Sequence, residues 1–147
     1  MAGTSNSARV EQDSNKRLTK HDLESLAQFH DDHGHAVSFY FKPGAGSERD
    51  DVLINLRVRD IISNHFLCGD KGRGLLRDLD SVLELCEAGI EASGPAMVVF
   101  ACHEKGVWRE FTVPSSARIV RLEAGNQFDL EPLMRLLRSE ATPTNAA

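Results

Sequence analysis

The segment Ala96 to Cys102, AMVVFAC, constrains this chain more than any other. It is an unbroken apolar run, rich in β-branched and aromatic residues and too short for a lone buried helix. That predicts a strand covered on both faces, near the centre of a sheet. Glu104-Lys105-Gly106 then supplies a turn, with Gly106 giving the backbone freedom that the reversal needs. From Val107 the pattern alternates. Val107, Phe111 and Val113 fall on one face, and Trp108, Glu110 and Thr112 on a wetter one. The stretch 95–114 therefore predicts a β-hairpin at the heart of the fold.

Around it the periodicity switches between helix and strand. Thr19 with Asp22 three residues on reads as an N-cap signature, and Leu23, Leu26, Ala27 and His30 follow at helical spacing, with Gly34 as the stop. Ala36 to Phe41 alternates as a strand and ends at Pro43. Ile54, Val58, Ile61 and Ile62 make one amphipathic stripe over 50–68, leaving Arg57, Arg59 and Asp60 for solvent. Leu75, Leu76, Leu79, Val82, Leu83, Cys86 and Ile90 make a second, cleaner one. The connection Gly69-Asp70-Lys71-Gly72-Arg73-Gly74 is short, so the two helices form a hairpin with a basic tip. Arg118 to Leu122 reads as another strand. Asp129 is placed to cap a last helix whose buried stripe is Leu130, Leu133, Met134 and Leu137.

The order α, β, αα, β, β, β, α predicts an α+β fold: a mostly antiparallel sheet of about four strands packed against helices, including the helical hairpin. Residues 1–17 carry almost nothing to bury and read as a disordered tail, and 140–147 as a flexible one. A single domain over 18–139 remains, in keeping with 147 residues of which 41% are hydrophobic. Seventeen Lys+Arg against 22 Asp+Glu give a formal charge of -5, which disfavours a protein that coats nucleic acid through its global field. Cys68, Cys86 and Cys102 are odd in number and form no CxxC, as expected of free thiols in a reducing, cytoplasmic setting. No segment is apolar for long enough to span a bilayer, so no membrane partner is expected.

Four groups of residues invite a chemical reading. His30-Asp31-Asp32-His33-Gly34-His35 places imidazoles beside carboxylates, which is zinc chemistry, but the spacing matches no standard site. A helix C-terminus favours histidines in any case, so no metal ligand is assigned. Cys102-His103 suggests a nucleophile and base, yet adjacent strand residues point to opposite faces and cannot easily touch. Asp78, Asp80 and Glu84 lie on the polar side of a strong amphipathic helix and read as a solvated face. No catalytic residue, cofactor or small-molecule substrate follows from these.

The tip Gly69 to Gly74 lacks the GxxxxGK[ST] order and does not follow a strand, which excludes a nucleotide-binding P-loop. Lys71 and Arg73 remain candidates for contact with an RNA backbone, and Phe128 for stacking on a base. Trp108 reads as an anchor for a partner or for another domain.

Several strings together resemble a known family. "HAVSFYFKP", a helical hairpin with a polar tip, "PAMVVFACHEKGVWREFTVP" and "RLEAGNQFDLEPLMRLL" are similar to the N-terminal domain of the archaeo-eukaryotic class 1 peptide-chain release factor superfamily, most of all its bacterial branch. The likeness covers about residues 18 to 139. It implies a release-factor N-terminal-like fold and a non-catalytic domain that engages the ribosome or its RNA in termination, rescue or hibernation. The family's peptidyl-tRNA hydrolysis resides in a Gly-Gly-Gln loop of a later domain, and no Gly-Gly-Gln occurs here. Eukaryotic members read stop codons with an Asn-Ile-Lys-Ser tip and a Tyr-x-Cys-x-x-x-Phe element. In this chain the tip keeps only Lys71 in character and the region from Arg121 to Phe128 keeps only the phenylalanine, so decoding is not carried over. The alternative expectation is a protein–protein interaction domain that kept the fold and lost the ribosome, with Trp108 as its anchor.

Overall fold

The structure is a computed structural model of the chain and describes residues 18–43, 49–65, 72–88, 94–115 and 118–141. Residues 1–17 and 142–147, Cys68, Lys71 and Ile90 lie outside the described residues, while residues 140 and 141, expected in the flexible C-terminal tail, belong to the last helix. Four strands form one antiparallel sheet in the order β3-β2-β1-β4, with β1 Ala36–Lys42, β2 Ala96–Cys102, β3 Val107–Val113 and β4 Ile119–Gly125. The expected hairpin is present. Val98 stands opposite Phe111 and Cys102 opposite Val107, and a short 3₁₀ turn over His103–Lys105 ends on Gly106 at φ +69°. A side chain at Gly106 would meet the steric penalty of the left-handed region.

Helices cover both faces, so the architecture is an α+β sandwich of three layers. Helix α2, Arg49–His65, and helix α3, Gly72–Ala88, lie on one face. There Ile54, Val58 and Ile61 of α2 and Leu75, Leu79, Val82 and Cys86 of α3 pack on Val37, Phe39, Phe41, Val99, Ala101 and Leu122. Helix α1, Lys20–Gln28, and helix α4, Glu131–Ala141, lie on the other. Leu26 and Leu133 meet Ala36, Tyr40, Val98, Phe100, Phe111 and Val113 there. Odd positions of β1 thus face α2 and α3 while even ones face α1 and α4, as the pleat requires.

Several sequence expectations need correction. Strand β1 alternates in chemistry but is buried throughout, because both of its faces are covered. Helix α1 ends at Gln28 with Phe29 as its C-cap, so His30 lies beyond it, and Gly34 at φ +76° belongs to the following loop. Arg57 does not simply face solvent. Its Nε donates to the carbonyl of Leu122 at 2.8 Å and its guanidinium pairs with Glu123 at 2.6 Å, fastening α2 to the edge strand β4. Leu76 and Met134, both read as buried, are 42% and 41% exposed. Asp129 sits two residues before α4 and is tied to the sheet: its N–H donates to Ser38 Oγ at 2.7 Å, its carbonyl accepts from the Tyr40 hydroxyl at 2.5 Å, and its carboxylate accepts from Arg121 Nε at 2.8 Å. The Thr19 and Asp22 capping box is as expected.

Candidate functional site

The chemistry-bearing side chains gather where the β2–β3 turn meets α3 and the loop before β1. Helix α3 presents Gly74 and Asp78, one helical turn apart and therefore on one face, to the 103–105 turn. A Cβ at Gly74 would lie 3.0 Å from Glu104 Cγ, 3.2 Å from His103 Cβ and 3.4 Å from the Glu104 nitrogen, so this glycine permits the close approach. Asp78, read from sequence as solvated, is only 4% exposed and accepts the His103 backbone N–H at 2.8 Å through Oδ2. Burial pushes its carboxyl up to about 6 despite the His103 hydrogen bond and imidazole, both of which favour the carboxylate.

Beside Asp78 an open cleft of about 470 Å³ is lined by Arg77, Asp80, Ser81, His103 and Trp108 among others. Trp108 is half-buried. Its ring packs against the core under α2 and α3, its Nε1–H donates to Glu110 Oε1 at 3.3 Å, and it contributes one wall of the cleft. This is the partner-contact candidate that the fold leaves partly accessible. The neighbouring Cys102 is buried, and burial first, then nearby carboxylates including Asp31, Asp78 and Glu104, raises its thiol pKa above the ordinary value. A protonated buried thiol is not an activated nucleophile, which supports the structural reading of Cys102-His103.

On the other side of the 103–105 turn lies the histidine-rich loop. His30 pairs with Asp32 at 2.9 Å on the surface. By contrast Asp31 and His35 are each 1% exposed, and His35 Nδ1 lies 3.4 Å from Glu104 Oε1, with His33 Nδ1 3.8 Å from the same oxygen. The reading of these histidines as solvated is therefore corrected for His35. Nothing in the local sequence pointed to Glu104 as their neighbour, because the pairing depends on how the hairpin turn folds back onto the loop.

The remaining RNA-contact candidates separate. Arg73 is exposed in the first turn of α3, while Lys71 lies outside the described residues. Phe128 is 7% exposed, stacks on Phe29 at 4.5 Å between ring centroids and tilts against Phe100 at 5.3 Å. It is a core residue joining the β4–α4 connection to α1 and the sheet, and its ring is not presented to a base.

A different surface is conspicuous on α2. Val52 and Leu56 are each 55% exposed and Leu53 45%, at positions i, i+1 and i+4. Leu53 continues into a shallow groove with Val120 and Leu122 of β4, bounded by Arg57, Arg121 and Glu123. Among the described residues no helix is long and apolar enough to cross a membrane.

No protein-family profile and no curated protein matches the sequence. A solved structure described as an archaeal protein is similar in fold, with a TM-score of 0.57 at 15% identity over 78% of this chain. This chain spans 33% of that protein's length. At that identity the likeness establishes the shared α+β fold alone.

Proposed function

We propose that this chain is a non-catalytic binding domain and that it docks another protein domain through the outer face of α2. The observation that carries this reading is the contiguous apolar surface of Val52, Leu53 and Leu56, beside an apolar groove edged by Arg57, Arg121 and Glu123. An apolar centre with a charged rim is the anatomy of a protein interface. The acidic balance of the chain favours a protein over a polyanion. The Trp108 cleft on the opposite edge of the sheet offers a second anchor.

The second reading is engagement of the ribosome or its RNA, supported by the release-factor likeness of the sequence strings and by Arg73, exposed at the N-terminal turn of α3. Its mechanism is placement by phosphate contacts, so binding should fall steeply with salt. Co-sedimentation with purified ribosomes over a salt series tests both readings, run with a Lys71→Glu, Arg73→Glu double variant and a Val52→Gln, Leu56→Gln double variant. Salt-sensitive pelleting abolished only by the first variant favours the ribosome. Absence of pelleting at low salt, with chemical cross-links to a protein partner that the second variant removes, favours the protein interface. A wild-type chain that neither pellets nor cross-links through α2 defeats both.

A further inference from the structure

We propose that Asp31, His35 and Glu104 form a binding site for a divalent transition-metal ion of the zinc type. One ligand atom from each of the three lies within 4.8 Å of the other two. The His35 Nδ1 to Glu104 Oε1 separation is 3.4 Å. Two ligands about 2.0–2.1 Å from a tetrahedral zinc ion stand about 3.3 Å apart, so this pair already spans one edge of such a site. His33 Nδ1 lies 3.8 Å from the same Glu104 oxygen, at the rim of this three-residue cluster.

The independent sign of a cation is Asp31. Its side chain is 1% exposed; Oδ2 accepts the backbone N–H of His35 at 2.9 Å, and Oδ1 is buried with no donor among the described residues. A buried carboxylate oxygen without a donor is costly, and a metal ion is one of the few partners that answers it together with a neighbouring carboxylate and imidazole. The ligand set, two carboxylates and one imidazole, suits zinc and its neighbours in the first transition row better than calcium or magnesium, which prefer oxygen alone.

The protein also holds these side chains in place before any ion arrives. The Asp31 N–H donates to the Asn126 carbonyl at 2.8 Å and the Gly34 N–H to the Asp31 carbonyl at 3.1 Å, which fixes the loop. Glu104 stands on the 3₁₀ turn, anchored by the bond from His103 N–H to Asp78 and seated against Gly74. Preset ligands of this kind raise affinity by reducing the ordering cost of binding. The site opens to solvent past Glu104 and His33, 24% and 41% exposed, which leaves an entry path.

The test is isothermal titration of the chelator-treated chain with Zn²⁺, paired with thermal unfolding with and without the ion, and with Co²⁺ as a spectroscopic probe of coordination. One equivalent should bind with a micromolar or tighter Kd, raise the unfolding temperature, and give the visible absorption of a four-coordinate cobalt site. Glu104→Gln, on a partly exposed turn, should fold normally and weaken binding by at least about tenfold. Asp31→Asn keeps an acceptor for the His35 N–H and should do the same. His30→Gln, whose ring pairs with Asp32 at the surface, should bind as the natural chain does. Absence of saturable binding overturns the proposal, and so does binding that survives both Glu104→Gln and Asp31→Asn.

Discussion

The backbone N–H of His103 donates to the buried carboxyl of Asp78 at 2.8 Å, and this bond ties the turn of the central hairpin to α3. It does so at a position where helix and turn come so close that a Cβ at residue 74 would stand 3.0 Å from Glu104 Cγ and 3.2 Å from His103 Cβ. The bond satisfies an N–H at the end of β2 that no ladder partner reaches, and it fixes the floor of the Trp108 cleft.

Because the folded protein holds the Asp78 carboxyl at about 6, above its ordinary value of 3.8, the native state binds the proton more tightly than the unfolded chain. The associated stability is fully present below about pH 4 and is lost as the pH rises through about 6. Asp78→Asn keeps an oxygen for the His103 N–H and removes the buried charge. The variant should match the natural chain near pH 4 and be the more stable of the two at pH 8, by up to about 3 kcal/mol. Urea unfolding at the two pH values measures this; a variant less stable at pH 8 would mean that the ionised carboxylate is itself stabilising.

Asp22 shows the opposite sign. Burial alone would raise its carboxyl, but hydrogen bonds from the Thr19 backbone and side chain and the Arg109 guanidinium at 2.6 Å hold it below the ordinary range. This pair fastens α1 to β3, and Arg109 also lies over the Phe111 ring at 5.4 Å. Its contribution is present above about pH 4 and lost as the pH falls through the lowered value. Asp22→Asn should cost on the order of 2 kcal/mol at pH 7 and progressively less in acid. An Arg109→Met, Asp22→Asn double variant should recover part of that loss, since the half-buried guanidinium is then no longer stranded. A double-mutant cycle by chemical denaturation gives the coupling.

The sheet and the helices were legible because their signals are periodic. AMVVFAC reads as a two-sided strand, and Leu75, Leu79, Val82 and Cys86 read as one face of a helix whatever the rest of the chain does. The candidate site was legible only in fragments. Asp78 shares the helical period of the polar face, and only the approach of the 103–105 turn converts it into a buried acceptor. Asp31, His35 and Glu104 are separated by some seventy residues at most and meet because β1 and β2 pair antiparallel, which brings the start of one beside the end of the other. Phe128 shows the converse. An aromatic side chain in a polar string reads as a binding group, and it proves to be the residue that closes the core between α1 and the sheet.

Tyr40, Ser38 and Asp129 hold the start of the last helix to the sheet. The Tyr40 hydroxyl is buried, and burial raises its pKa above the ordinary value, so it remains a donor at any practical pH. Tyr40→Phe leaves the Asp129 carbonyl without that donor and should cost about 1 kcal/mol, as should Ser38→Ala for the Asp129 N–H. Hydrogen exchange of the α4 amides should speed up in either variant while α2 and α3 keep their protection. Equal acceleration in all helices would show that the Asp129 anchor is not specific to α4.

Gly74→Ala sets two effects of known sign against each other. Within a helix alanine is favoured over glycine by about 1 kcal/mol. Against that, the new Cβ would stand 3.0 Å from Glu104 Cγ, which a side chain can yield, and 3.2 Å from His103 Cβ, which is fixed to the turn that Asp78 holds. Overpacking of this kind costs about 1–3 kcal/mol, so the net change should be destabilising by up to about 2 kcal/mol. Relief should come from freeing the turn. In an Asp78→Ala background the 103–105 segment can shift, and the added penalty of Gly74→Ala should shrink or reverse as the helix propensity takes over. Denaturation of the four species in this cycle decides it: additivity of the two substitutions would place the clash elsewhere than at the turn that Asp78 anchors.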